Sequence, residues 1–164
     1  MEVRNRASSC ALAGILVTIA FASTAFAQAP KGLVGTWKLN GAKSKYNPGP
    51  APKSMTIVYT SAAGDSLKIS VELVPPTGAT QKWEMTGAYD GKEHAVTGNP
   101  DADTISLKRV NDTTGESTFK KGGKVMAVNT RVLSADGKTL TITTKGTTSD
   151  GKPRNDVAVY EKQP

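Results

Sequence analysis

Gly35-Thr36-Trp37-Lys38-Leu39 near the start of the chain and Val159-Tyr160-Glu161-Lys162 at its end both read as strands, and the sequence between them is almost entirely short alternating segments and turns. A chain that opens and closes on strands, joined by hairpins throughout, can pair its last strand with its first and so remove its open edges. The expected fold is therefore all-β, a closed antiparallel up-and-down barrel of about 8–10 strands.

Working outward from the first string, period-two alternation recurs along the chain. Leu33, Gly35, Trp37 and Leu39 share one face, as do Met55, Ile57 and Tyr59, then Leu67, Ile69, Val71 and Leu73, then Trp83, Met85, Gly87 and Tyr89. Thr and Lys occupy most of the opposite positions. The pattern continues through His94 and Val96, Ile105 and Leu107, a weaker segment around Phe119, Leu140 and Ile142, and Val157 and Val159. From Val125 to Leu133 both faces are apolar, so two parities compete and the direction of Arg131 stays open.

Turn chemistry separates the segments. Asp90-Gly91, Gly122-Gly123 and Asp136-Gly137 supply residues that tolerate the positive φ of tight hairpin turns, so neighbouring strands are expected to be antiparallel. Asp-Gly-Lys also recurs at Asp150, but the intervening segments do not repeat, which removes the basis for a propeller or solenoid. Asn40 to Lys53 is too rich in Pro and Gly for a helix and too long for a hairpin. It reads as an ordered crossing or as a flap over one barrel mouth, with Tyr46 as its plug.

The first residues have the form of an export signal. Arg4 and Arg6 precede an apolar run from Ala11 to Phe21, and Ala25-Phe26-Ala27 is a small-x-small cleavage site. Residues 1–27 are thus expected to be a signal peptide, with a single mature domain over 28–164, periplasmic or secreted. No stable membrane insertion is expected after cleavage, because the run is shorter than the roughly 20 apolar residues of a span. Removing residues 1–27 leaves 137 of the 164 residues, which suits one domain. Cys10, the only cysteine, leaves with the signal, so disulfides and thiolate metal sites are excluded from the mature chain.

The whole chain carries 21 Lys and Arg against 14 Asp and Glu, a net charge of +7 that becomes +6 once Arg4, Arg6 and Glu2 are gone. Its lysines are scattered singly along strands and turns, and Lys120, Lys121 and Lys124 surround a Gly-Gly turn. Nucleic acid is not an expected partner, since no basic stripe is interleaved with aromatics for stacking. A monomer is expected.

The opening string resembles the first strand of the calycin superfamily, the barrels of lipocalins, fatty-acid-binding proteins and avidins, which share a Gly-x-Trp core. Gly35-Thr36-Trp37-Lys38-Leu39 with a terminal Val-Tyr-Glu-Lys is most similar to the fatty-acid-binding branch. The mature chain as a whole also resembles a set of exported bacterial lipocalin-like proteins. The resemblance implies a barrel closed at one end by Trp37, with Gly35 and Trp37 in structural roles. Two departures are plain. Where the fatty-acid-binding branch has a helical lid this chain has the Pro-rich segment, and where that branch has the Arg of a terminal Arg-x-Tyr carboxylate anchor this chain has Ala158, before Tyr160.

No nucleophile elbow, phosphate loop or His-Glu-x-x-His string occurs, so no enzyme is expected and no catalytic residue is assigned. No cofactor is expected. His94, the only histidine, cannot by itself build a transition-metal site. Asn99, Asp101 and Asp103 alternate like calcium-loop ligands, but Thr104 stands where the loop needs Gly. No metal site is expected.

The leading expectation is a binding module for a small apolar ligand that needs no carboxylate. Tyr59, Trp83, Met85, Tyr89, Ile105, Leu107 and Tyr160, with Arg131, are the expected ligand-binding residues, mainly apolar with a few hydroxyls as in many ligand sites. The alternatives are a filled barrel that serves as a surface-interaction or inhibitor protein and, further off, a barrel enzyme whose groups converge from distant positions.

Overall fold

The computed structural model describes residues 29–30, 32–63, 65–148 and 150–164. The signal-peptide reading of residues 1–27 lies outside the described residues. Ten strands form one closed antiparallel barrel: β1 (Gly35–Leu39), β2 (Ser54–Ser61), β3 (Ser66–Val74), β4 (Gln81–Ala88), β5 (Asp90–Thr97), β6 (Thr104–Arg109), β7 (Thr114–Lys121), β8 (Lys124–Leu133), β9 (Thr139–Thr147) and β10 (Pro153–Lys162). Each strand pairs with its sequence neighbours, and β10 closes the ring on β1 through Trp37↔Lys162 and Leu39↔Tyr160.

The strands form where alternating chains gain most from a two-faced surface. In β9, Leu140, Ile142 and Thr144 are buried, while Thr141 and Thr143 between them are only partly covered. Gly122 and Gly123, with φ of 55° and 77°, make the tight turn between β7 and β8, the conformation for which that pair of glycines is suited. Asp90-Gly91 differs from its expected place as a hairpin turn. It opens β5 itself, and the register of β5 against β6 shifts between Asp90 and Glu93, so the positive φ of Gly91 serves a bulge.

One end of the barrel is plugged. Trp37 is fully buried there, and its indole N–H donates to Leu33 O at 2.8 Å. That bond satisfies the polar edge of a ring otherwise surrounded by apolar groups. Lys162 Nζ lies 5.3 Å from the Trp37 ring centre and donates to Gly32 O at 2.8 Å, so a lysine covers this tryptophan. Gly35 makes room for it, since a Cβ there would stand 2.8 Å from Lys162 Cε, and its φ of 137° is unsuited to an L side chain.

A ring of ten strands is wider than the eight whose side chains just fill a barrel. The surplus width is left at the end opposite Trp37. There the segment between β1 and β2 crosses the mouth as a strap, beginning with a 3₁₀ turn at Gly41–Lys43. It then lies along β10, with Lys45 N donating to Val157 O at 2.7 Å and Val157 N to Lys45 O at 2.8 Å.

Candidate functional site

The barrel encloses a cavity of about 370 Å³ between the strap and the plugged end, within the range of small-molecule pockets. Met55, Ile57 and Leu73 line it from β2 and β3, Trp83 from β4, Phe119 from β7, and Ile142 and Ala158 from β9 and β10. Trp83 and Phe119 meet edge to face, with ring centres 5.8 Å apart, a geometry that locks both rings in the wall. Tyr46, Pro48, Pro50 and Pro52 of the strap complete the lining, and Tyr46 Oη is buried without a hydrogen-bond partner.

The sequence-predicted residues divide by depth. Tyr59, Trp83, Ile105, Arg131 and Tyr160 line the cavity. Met85, Tyr89 and Leu107 also point inward and are buried in the core that Tyr59, Ile105 and Tyr160 share, but they do not reach the cavity wall. The structure also brings in residues that sequence reading did not single out, among them Phe119, Asn129, Arg154 and Asp156. Asn129 stands two residues before Arg131 and Asp156 two before Ala158, so strand parity could have found both once either neighbour was known to face inward.

Arg131 enters the barrel from β8, opposite Gly115 of β7 and Ile142 of β9. It is 4 % exposed. Its Nη1 donates to Ser117 Oγ at 3.1 Å, whereas Nε and Nη2 are buried with no hydrogen-bond partner. Burial works against the charge, the nearby oxygens of Tyr89 and Tyr59 favour it, and the net direction of its pKa is upward. The guanidinium is thus a permanent cation, buried among the hydroxyls of Ser117, Tyr59 and Tyr89. Tyr59 answers the same burial with a pKa pushed up to about 12, chiefly by desolvation, so it is a neutral phenol at physiological pH.

At the mouth Asp156 and Arg154 are paired with each other. Asp156 accepts from Asn47 N at 2.9 Å and from Arg154 Nε at 2.5 Å, joining the strap to β10. Tyr160 Oη donates to Met55 Sδ at 3.1 Å, and burial, as the largest cause, raises its pKa well above the ordinary value. Asn99 Oδ1 accepts from Asp101 N and Asp103 Oδ2 from Gly122 N, both at 2.8 Å, so two of the three alternating carboxamide and carboxylate groups organise turns.

No protein-family model matches the chain, and no curated protein matches it at a significant level. The fold and the cavity therefore carry the functional reading.

Proposed function

We propose that the mature protein is an exported, lipocalin-like barrel of the calycin type that binds a small hydrophobic ligand in its interior. The single observation that carries this reading is the cavity of about 370 Å³ inside a closed barrel, walled mainly by Met55, Ile57, Leu73, Trp83, Phe119 and Ile142. Apolar burial contributes roughly 25 cal/mol per Å², so a ligand burying about 300 Å² gains ~7 kcal/mol before ordering costs, enough for micromolar affinity at best. The same cavity weighs against a filled barrel acting only through its surface. Native mass spectrometry of the exported protein tests the reading through the mass of a co-purifying molecule. A neutral fluorescent hydrophobe tests it directly: it should bind at micromolar concentration and change tryptophan emission in the wild type, while Trp83→Phe should keep the binding and lose the tryptophan response. Absence of binding by the wild type would overturn the proposal.

A further inference from the structure

The hydroxyl of Tyr160 is spent on a sulfur atom. Its Oη donates to Met55 Sδ at 3.1 Å, and among the described residues Met55 is the one methionine whose sulfur accepts a hydrogen bond. The other two described methionines stand differently. Met85 is 3 % exposed, deep in the core, and Met126 lines the cavity without such a donor. Met55 lines the same cavity and is only partly buried, so a small solute that enters the mouth meets its side chain.

A thioether is a weak acceptor, and a buried phenol ordinarily finds a better one. Burial keeps the Tyr160 phenol protonated, and Tyr46 of the strap stands close enough to add to that upward shift. Tyr46 Oη is itself buried with no partner. Two neutral O–H donors thus meet at this wall, one with a poor acceptor and the other with none. The wall lacks one oxygen atom, and Met55 Sδ is the atom there whose chemistry lets it take one up.

We infer that Met55 is a site of reversible oxidation by hydrogen peroxide, in which Tyr160 steadies the incoming oxygen and the finished sulfoxide gives Tyr46 the acceptor it lacks. A sulfur lone pair forms the S–O bond as the O–O bond of the peroxide breaks. The departing oxygen leaves with that bond's electron pair and, after taking the proton of the transferred oxygen, is released as water; the thioether is oxidised by two electrons and the peroxide reduced. Negative charge develops on oxygen as the O–O bond breaks, so a hydroxyl aimed at the reacting centre is worth more in the transition state than against the thioether. The cavity beside Met55 leaves room for the added atom. Once formed, the sulfoxide oxygen ties Tyr46 to β2 and β10, so oxidation fixes the strap over the mouth. This does not depend on a ligand occupying the cavity.

The test is a time course of the whole mature protein in millimolar hydrogen peroxide near neutral pH, quenched with catalase and read by peptide mass spectrometry. Met55 should gain one oxygen roughly 10-fold faster than Met126, the factor for one hydrogen bond made chiefly to the reacting oxygen, and Met85 should lag both. In Tyr160→Phe the rate at Met55 should fall to that of Met126. Hydrogen exchange at Tyr46 and Asn47 should slow in the oxidised wild type, return to its first rate after treatment with methionine sulfoxide reductase, and not slow in oxidised Tyr46→Phe. Met126 oxidised as fast as Met55 would overturn the site. A Tyr160→Phe protein in which Met55 keeps its lead would also overturn it, because exposure alone would then set the rate. Strap exchange that is unchanged or quicker in the oxidised wild type would overturn the part given to Tyr46. Should Tyr160→Phe fail to fold, the wild-type ratio of Met55 to Met126 and the strap exchange decide.

Discussion

Asn47 of the strap donates its backbone N–H to the carboxylate of Asp156 on β10 at 2.9 Å, so the segment covering the cavity is fastened to the last strand by a buried acid. Arg154 holds the other oxygen of that carboxylate at 2.5 Å, and Asn155 N donates to Asn47 O at 2.7 Å. Removing the acid by Asp156→Ala leaves the Asn47 N–H without its acceptor and Arg154 without its partner. The expected cost is about 1.5–3 kcal/mol, the worth of hydrogen bonds to a charged group. Hydrogen exchange should quicken at Asn47 and its neighbours while the amides of β7 and β8 stay protected. Unchanged protection of the strap would show that Asp156 does not fasten it.

Trp37→Ala removes the fully buried ring at the plugged end together with its bond to Leu33 O. The expected loss is about 3–5 kcal/mol, the range for large aromatic truncations in cores. Urea denaturation checks it, and a midpoint equal to that of the wild type would place the ring outside the core.

Gly146 of β9 pairs with Ala127 of β8. A Cβ there would stand 2.1 Å from Met126 O and 2.7 Å from Ala127 Cα, both backbone atoms that move only if β8 moves. Gly146→Ala should therefore cost about 1–3 kcal/mol, as overpacking does. Because Met126 and Ala127 line the cavity, the variant should also weaken binding of a neutral hydrophobe. A fully stable Gly146→Ala protein would contradict this close approach.

Alkaline pH should destabilise the barrel through Tyr59. Burial raises its phenol from the ordinary value of 10.0 to about 12 in the folded chain, while the unfolded chain titrates at the ordinary value. Below pH 10 both states hold the proton and Tyr59 makes no pH-dependent contribution. Between about 10 and 12 the unfolded state binds fewer protons, so stability falls as pH rises, by about 1.4 kcal/mol per pH unit for this group. Denaturation midpoints above pH 10 should fall less steeply in Tyr59→Phe, and an identical slope would show that another group governs the alkaline limb.

Processing of the N-terminus is checked by sequencing the exported protein, which should begin at Gln28. An intact Met1 on membrane-associated protein would refute cleavage after Ala27.

Much of the barrel was legible because strand parity and turn chemistry are local. Leu140 and Ile142 alternate with threonines whatever else the chain does, Gly122-Gly123 can scarcely do other than turn, and paired terminal strings such as Gly35–Leu39 and Val159–Lys162 leave closure as the natural way to satisfy both edges. Two matters needed the tertiary structure. Depth along the barrel axis has no local signature: Met85, Tyr89 and Leu107 share the inward face and the core with Tyr59 and Ile105, yet only Tyr59, Ile105 and Trp83 reach the cavity wall. The direction of Arg131 was equally hidden. Its strand is apolar on both faces, and its register against β7 shifts between Phe119 and Lys120, a displacement that brings both Met126 and Ala127 to the cavity. Beyond that shift, pairing with Gly115 and Ile142 turns Arg131 inward, because parity is inherited from the partner strand across a bulge and cannot be counted along one chain alone.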